Sequence, residues 1–391
     1  MPNTKKSLFE CVDTYVVWAS LAIVFVVPST NNFTDYNLKV YLVCVLGLYS
    51  WVRFIYKKKY LIIDRLYKYL IYTILGILLV NLLITHTPLS MFGDIYIQAG
   101  FVSLIAIIGI ALNSVNQSLV KILNALFIAC ILLSVFSFFY QTVIYDSLTS
   151  TRLIGPFFQS DVLAVYLASG FIAGFNLINK YKSKNGLFLY ILGELIILTG
   201  IMFTQTRLVV MLILILSGIY FLFKYKKSYK FNILLLTSFI LIFIAFCSVG
   251  NRSYNPESLI TSIKYRLDLQ SAVIAHSSSS VFISKGAETL SLDLKCSNLN
   301  SFYPLRQTCK NYIFESSHNI FLDHSILFGY GVGIIMLFLA IYSIYRCLVA
   351  KDQQLLILGL IVTLISIYYF SNVNSIELEL LFWIFVAYSG I

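Results

Sequence analysis

The stretch that decides the fold is YLVCVLGLYSWVRFIYKKKYLIIDRLYKYLIYTILGILLV, residues 41–80. It covers parts of two apolar runs, 38–52 and 66–85, which are separated by a connection rich in lysine and arginine. A helix needs about 20 predominantly apolar residues to cross a bilayer, and basic residues accumulate in short cytoplasmic connections. The pattern therefore predicts two membrane-spanning helices joined on the cytoplasmic side.

The composition of the whole chain agrees with this local pattern. Of its 391 residues, 59% are hydrophobic and only 12% are charged, whereas soluble domains carry about 25% charged residues. The net charge of +11 does not indicate a nucleic-acid partner, because the basic residues lie in short clusters between apolar runs and report topology. The chain is therefore predicted to be an all-α polytopic membrane protein whose immediate partners include membrane lipids.

The same pattern predicts about twelve transmembrane helices and one large, partly helical loop. Helices 1 to 9 fall within residues 1–248, the loop within 249–324, and helices 10 to 12 within 325–391. The second and last apolar runs are short, so a count of ten or eleven stays open. No small-residue cleavage site follows the first run, which is therefore expected to remain uncleaved. The predicted spans are 14–29, 38–52, 66–85, 94–112, 119–143, 161–179, 187–204, 207–223, 231–248, 325–345, 354–371 and 376–390.

The basic residues orient these helices. Eighteen of the 28 lie in the N-terminal segment and the even-numbered connections, and only three lie in the short connections on the other face. The positive-inside rule then places both termini in the cytoplasm and the long loop in the periplasm. The three exceptions are Lys39, Arg152 and Arg207.

Burying a charged group at the edge of the membrane costs free energy, so each of these three residues is expected to have a partner or a function. Lys39 begins a helix, and its long side chain is expected to snorkel to the interface. Arg152 and Arg207 each follow a Thr-x-Thr sequence just before an inward-running helix. A guanidinium is a planar fork of donors suited to phosphate oxygens. The two arginines are therefore candidate ligands for a lipid-borne diphosphate, and interfacial anchoring is the alternative.

The long loop is expected to hold structure or function, because structureless loops of this length are uncommon in compact proteins. Its sequence YNPESLITSIKYRLDLQSAVIA, residues 254–275, predicts a helix in which Asn255 caps and Pro256 takes the first position. Its partial apolar face favours a position on the membrane surface. Cys296 and Cys309 share the loop, and a disulfide between them on the oxidising side is a hypothesis beside two free thiols.

His318 stands at the predicted outer mouth of span 325–345. The positive end of a helix keeps an imidazole neutral, and a neutral imidazole is a competent general base near pH 7. A helix cap without chemistry is the alternative interpretation. Asn319 is a candidate to orient the ring or the substrate. His324 lies about 240° further around a helix, so it is not expected to share a face with His318.

These residues give the whole chain a resemblance to the O-antigen ligase and O-antigen polymerase superfamily of bacterial membrane glycosyltransferases. In that superfamily a large periplasmic loop late in the chain is followed by a histidine motif. His318 and Asn319, nine further residues and Gly329 match that motif. The next expected small residue is replaced by Val332, which stands between two glycines.

Three further segments are similar to motifs of that superfamily. RLIGPFFQSDVLAVYLA (152–168) resembles its Arg-x-x-Gly segment, with Asp161 where asparagine is commoner. TQTRLVVMLILIL (204–216) resembles its Thr-x-Ser-Arg segment, with Thr206 at the serine. SIKYRLDLQSAVIA (262–275) resembles its arginine-bearing loop helix.

The resemblance implies metal-independent glycan transfer, without a cofactor, from undecaprenyl diphosphate on the periplasmic face of the inner membrane, in lipopolysaccharide biosynthesis. His318 would be the catalytic base. Arg152, Arg207, Arg266 and Asn319 would bind the diphosphate or the substrate. The acceptor is a lipid A-core sugar for a ligase and a carrier-linked repeat unit for a polymerase, and the residues do not decide between them. Glu194, inside the seventh span, is either functional or hydrogen-bonded within the bundle.

A lipid-linked glycan flippase or transporter is the alternative from another class. Such proteins also have about twelve helices, but they usually show paired halves and polar sites at the membrane midplane. No similarity between the two halves is visible in this sequence, and its polar residues collect at the predicted outer edge. The sequence therefore favours the glycosyltransferase.

Overall fold

The computed structural model describes eleven helices and parts of two further segments. The described residues are 12, 15–16, 18–21, 33–57, 63–84, 95–115, 117–145, 152–157, 159–178, 183–224, 264, 266–271, 273–274, 319–350, 352–370 and 375–391. The helices are α1 (Phe33–Lys57), α2 (Arg65–Ile84), α3 (Ile95–Ser114), α4 (Leu119–Tyr145), α5 (Ser160–Gly174), α6 (Lys184–Thr204), α7 (Arg207–Lys224), α8 (Ile320–Phe328), α9 (Tyr330–Val349), α10 (Gln353–Tyr369) and α11 (Ile376–Ser389).

The described residues confirm the all-α class. Nine predicted spans each correspond to one of these helices, and 325–345 covers parts of α8 and α9, whereas 14–29 lies largely, and 231–248 wholly, outside the described residues. The chain is a helical membrane protein, and the count of twelve spans stays a prediction. Five described segments are long and apolar enough to cross a membrane: Leu38–Tyr56, Leu119–Val143, Asn185–Thr204, Arg207–Lys224 and Tyr330–Val349.

Three helices form the centre of the bundle. Every residue of α11 is buried, and so are nearly all residues of α5 and most of α10. Helices that are apolar on all sides occur where other protein segments surround them. The outer helices instead expose large apolar side chains, as expected of surfaces that face lipid. Examples are Val45, Leu48 and Val52 on α1, Leu132, Val135 and Phe139 on α4, and Phe188 and Leu189 on α6.

Cross-helix contacts define the two ends of this bundle. At one end Asp64 pairs with Arg346 at 3.5 Å, and the Asp64 amide donates to the Gly390 carbonyl at 2.7 Å. We call this the basic end. At the other end Arg152 contacts Thr204, and we call it the arginine end. The assignment of the basic end to the cytoplasm stays a prediction.

The tenth predicted span, 325–345, is divided in the structure. Gly329 has φ 96° and ψ 149°, a backbone conformation that residues with a side chain rarely adopt, and it separates α8 from α9. Gly333 lets α9 lie directly on α8, because a Cβ at this position would collide with Ser325 Oγ and the Phe321 carbonyl. Gly333 therefore allows close packing of α8 and α9.

The predicted loop helix is confirmed where it is described, since residues 264, 266–271 and 273–274 are helical. Leu269 and Val273 are buried, which gives this helix an inward-facing apolar side. The Gln270 amide donates to the Phe370 carbonyl at 3.3 Å, just beyond the end of α10. The loop helix is therefore docked at the arginine end. Cys296 and Cys309 lie outside the described residues.

Candidate functional site

Arg152 is held in a hydrogen-bonded cluster at the arginine end. Its Nε donates to the carbonyl oxygen of Thr204 at 2.8 Å, and its Nη2 donates to Thr206 Oγ1 at 2.9 Å. Nη2 also pairs with Asp161 Oδ1. Thr206 Oγ1 in turn donates to Asp161 Oδ1 at 2.8 Å. We call these four residues the arginine cluster.

The second Thr-x-Thr sequence builds one wall of this cluster. Thr204 ends α6, so its carbonyl has no partner within the helix and is available to Arg152. Gln205 adopts a left-handed conformation, φ 54°, which turns the chain between α6 and α7. This turn brings Thr206 to the same guanidinium. The amide of Leu153 adds a backbone bond to the Phe203 carbonyl at 3.0 Å and fixes the segment that carries Arg152.

One edge of the Arg152 guanidinium remains available. A guanidinium has five N–H donors, and the cluster engages Nε and Nη2. Within the part of the chain that the structure describes, Nη1 donates no hydrogen bond, and the Arg152 side chain is 27% exposed. A fixed cation with an open pair of donors can bind an oxyanion without prior rearrangement.

The other two predicted arginines lie near this cluster. Arg207 is the first residue of α7, directly after Thr206, and is partly exposed. Arg266 stands on the docked loop helix and is also partly exposed. Arg266, Arg152 and Asp161 all lie within electrostatic range of the Tyr368 hydroxyl at the end of α10. The structure therefore brings three distant parts of the sequence to one place at the arginine end.

The candidate base His318 lies outside the described residues, and its role stays a prediction. The next residue, Asn319, caps α8: its Oδ1 accepts a hydrogen bond from the amide of Leu322 at 3.2 Å. Such a cap satisfies one of the free donors at a helix start. Asn319 is thus a structural residue of α8, and its proposed contact with the ring or the substrate is untested.

The expectation for Lys39 was wrong. Its side chain does not reach the membrane interface but is 0% exposed, with Nζ 2.7 Å from Glu377 Oε1 on α11. The ammonium also lies 5.6 Å from the centre of the Phe157 ring. A buried ammonium is tolerated when a counter-charge is close. The counter-charge comes from the far end of the sequence, so the sequence around Lys39 does not reveal it.

A second buried pair involves the next glutamate of α11. Glu379 Oε1 lies 2.7 Å from Nε2 of His324, whose Nδ1 lies 2.9 Å from the Ile320 carbonyl. Residues two apart on a helix point about 200° apart, which explains why Glu377 and Glu379 reach different helices. Two glutamates in an otherwise apolar span were the sequence signal for these pairs, since such charges rarely occur without a partner or a function.

Glu194 does not belong to the arginine cluster. It stands ten residues before Thr204 on α6, which places it about 15 Å away along the helix. Its carboxylate is buried against α5, so close to Gly174 that a Cβ there would collide with Oε1. The structure therefore gives Glu194 a place between α5 and α6, away from the predicted arginines.

Comparison with known proteins adds no family assignment. No protein-family model matches the chain, and no curated protein matches it at a significant level. The function proposed below therefore depends on the geometry of the arginine end and on the motif resemblance.

Proposed function

We propose that the chain is a membrane glycosyltransferase that moves a glycan from an undecaprenyl-diphosphate carrier to a sugar hydroxyl. The reaction takes place at the outer face of the bacterial inner membrane, and the acceptor is a lipid A-core sugar, as in O-antigen ligases. The observation that carries the proposal is the guanidinium of Arg152, which is fixed by three residues and, among the described residues, donates no hydrogen bond from Nη1. Such a group suits a diphosphate oxygen.

The proposed reaction needs one base and a stabilised leaving group. The acceptor oxygen bonds to the anomeric carbon while the bond from that carbon to the phosphate oxygen breaks. The diphosphate leaves with the electron pair, and His318 takes the proton of the acceptor hydroxyl. Negative charge grows on the diphosphate in the transition state, so the Arg152 cation stabilises that state more than the ground state. Arg207 and Arg266 add positive charge nearby.

Asp161 has a supporting role in this proposal. Its carboxylate accepts from both Arg152 and Thr206 and thereby fixes the guanidinium plane. The two carboxylic groups of glycosidases are unnecessary, because a diphosphate leaves without a general acid.

Arg152→Lys is expected to weaken binding of the diphosphate lipid by about 10-fold, the effect of losing one charge-assisted hydrogen bond. Lysine keeps the charge but lacks the fork that contacts Thr204, Thr206 and the ligand together. The measurement is titration of undecaprenyl diphosphate into the purified protein in detergent. Arg65→Lys, at an exposed position of the basic end, is the matched control and is expected to bind as the wild type does. Unchanged binding by Arg152→Lys would remove this residue from the site.

The proposed orientation predicts the accessibility of two tags. A tag after Ile391 is expected to be protected from a membrane-impermeant label in intact cells, because positive charge keeps the basic end in the cytoplasm. A tag inserted near Asn298, in the predicted periplasmic loop, is expected to be labelled. Labelling of the tag after Ile391 from outside contradicts the proposed orientation.

Deletion of the gene distinguishes the proposed ligase from the polymerase of the same superfamily. Loss of all long chains from the lipid A-core supports the ligase, because no pre-assembled glycan is then attached. Single repeat units on the core support the polymerase, because attachment continues but elongation stops. The readout is the length pattern of the surface glycan.

A further inference from the structure

The first turn of α11 contacts the segment that carries the arginine cluster. Glu377 Oε1 holds the Lys39 ammonium at 2.7 Å, and the same ammonium lies 5.6 Å from the centre of the Phe157 ring. Phe157 stands between Arg152 and Asp161 in the sequence and is buried. Glu377 therefore supports the segment 152–161 through Lys39 and Phe157. We call this series of contacts the first arm.

The same turn of α11 also holds α8. Glu379 bonds His324 Nε2 at 2.7 Å, and the ring reaches the Ile320 carbonyl with its other nitrogen at 2.9 Å. The helix α8 has only nine residues and begins directly after Asn319. The pair of Glu379 and His324 links this helix to α11, in addition to the packing of α8 on α9 at Gly333. We call this pair the second arm.

Both arms lie inside the protein. The side chains of Lys39, Glu377, His324 and Glu379 are 0%, 7%, 1% and 8% exposed. They cannot meet a substrate at the surface, so an effect of these residues on a reaction has to act through position.

All other residues of α11 except Ser389 are apolar or aromatic, and apolar packing at 377 and 379 would avoid the cost of burying charge. A buried polar pair fixes how two helices are aligned along their axes, which apolar packing does not do.

We propose that Glu377 and Glu379 are positioning residues, and that the first turn of α11 sets the separation between the arginine cluster and α8. The inference rests on the proposed function, in which the cluster holds the diphosphate and His318, the residue before Asn319, supplies the base. Transfer requires both groups at the same anomeric carbon, and a misplacement of about 1 Å costs up to about 100-fold in rate. Loss of either arm therefore lowers kcat.

Kinetics of purified, folded protein test the two arms. Glu379→Ala is expected to lower kcat by about 10- to 100-fold, with KM for the carrier lipid and the pH profile of kcat unchanged. Glu379→Gln is the conservative control and is expected to retain activity, because its side-chain NH2 can donate a hydrogen bond to His324 Nε2 while Nδ1–H donates to the Ile320 carbonyl. Glu377→Ala is expected to behave as Glu379→Ala does.

A distance measurement tests the inference independently of transfer activity. Spin labels are introduced as unnatural amino acids at Gln159, beside the arginine cluster, and at Leu322 on α8, and their separation is measured by double electron–electron resonance. The wild type and Glu379→Gln are expected to give one narrow distribution. Glu377→Ala and Glu379→Ala are expected to give shifted or broadened distributions.

The outcomes separate this inference from the proposed function. Wild-type distances in both alanine variants overturn the positioning role, whatever the activity. Absence of transfer by the wild type, together with shifted distances in the variants, rejects the proposed reaction but supports the positioning role of Glu377 and Glu379. If Glu379→Ala cannot be purified in folded form, Glu379→Asp is used instead, because it shortens the side chain of the second arm by one methylene. An unchanged distance and an unchanged kcat in Glu379→Asp overturn the inference.

Discussion

Replacement of His318 with alanine is expected to lower glycan transfer by about 100-fold or more while carrier-lipid binding survives. The base acts on the acceptor hydroxyl in the transition state, whereas the donor is held by the arginines. Loss of an interaction that exists only in the transition state lowers kcat and kcat/KM equally. The measurement is the rate of transfer by purified protein, together with a binding titration of the carrier lipid.

His276→Ala is the control for His318→Ala, because both histidines belong to the predicted periplasmic loop and the proposal gives His276 no role. It is expected to transfer glycan at the wild-type rate. If His318→Ala is present in the membrane at the wild-type amount and turns over at the wild-type rate, His318 is a helix cap without a catalytic role. The base would then have to be sought at Asp161.

Removal of Glu377 is expected to have the largest effect on stability. Glu377→Leu removes the carboxylate that lies 2.7 Å from the Lys39 ammonium, whose side chain is 0% exposed. Breaking a buried ion pair by removing one partner lowers the free energy of unfolding by about 3 to 5 kcal/mol. The measurement is unfolding in mixed micelles titrated with SDS and followed by tryptophan fluorescence.

Two controls accompany the Glu377→Leu measurement. Lys39→Met combined with Glu377→Leu is expected to recover most of the stability, because neither member of this pair then remains as a buried charge. Asp64→Asn removes the partner of Arg346 in a pair whose side chains are 34% and 30% exposed, and it is expected to cost less than about 1 kcal/mol. A cost for Glu377→Leu no larger than that for Asp64→Asn would mean that the Lys39–Glu377 pair contributes nothing.

The fold was predictable from the sequence because membrane helices are specified locally. Each run of apolar residues satisfies its own backbone hydrogen bonds, so length and hydrophobicity locate it without knowledge of its neighbours. The division at Gly329 was not predicted, since a glycine within an apolar run is compatible with a continuous helix. What fixes the division is the contact of Gly333 with Phe321 on the preceding helix, and this contact is visible only in three dimensions.

The candidate site was predictable in part for the same reason. Arg152 and Arg207 stood out because they break a charge pattern that can be read along the chain. The Thr-x-Thr sequence before Arg207 gave no sign that Thr204 and Thr206 would bind Arg152. Glu379 and His324 are 55 positions apart, so a single sequence offers no means to pair them. Contacts between distant segments are therefore what the structure adds.

We propose that the protein breaks the bond between a glycan and its diphosphate carrier and transfers the glycan to an acceptor. The most direct test is the amount of free undecaprenyl diphosphate released by detergent-solubilised protein that is given carrier-linked glycan and a lipid A-core acceptor. We expect release that depends on the acceptor, equals the glycan transferred, and falls by about 100-fold or more in His318→Ala. A transporter in detergent has no membrane across which to move its substrate, and it does not break the bond between the glycan and the diphosphate. Absence of released diphosphate from folded wild-type protein that binds the carrier would contradict the account.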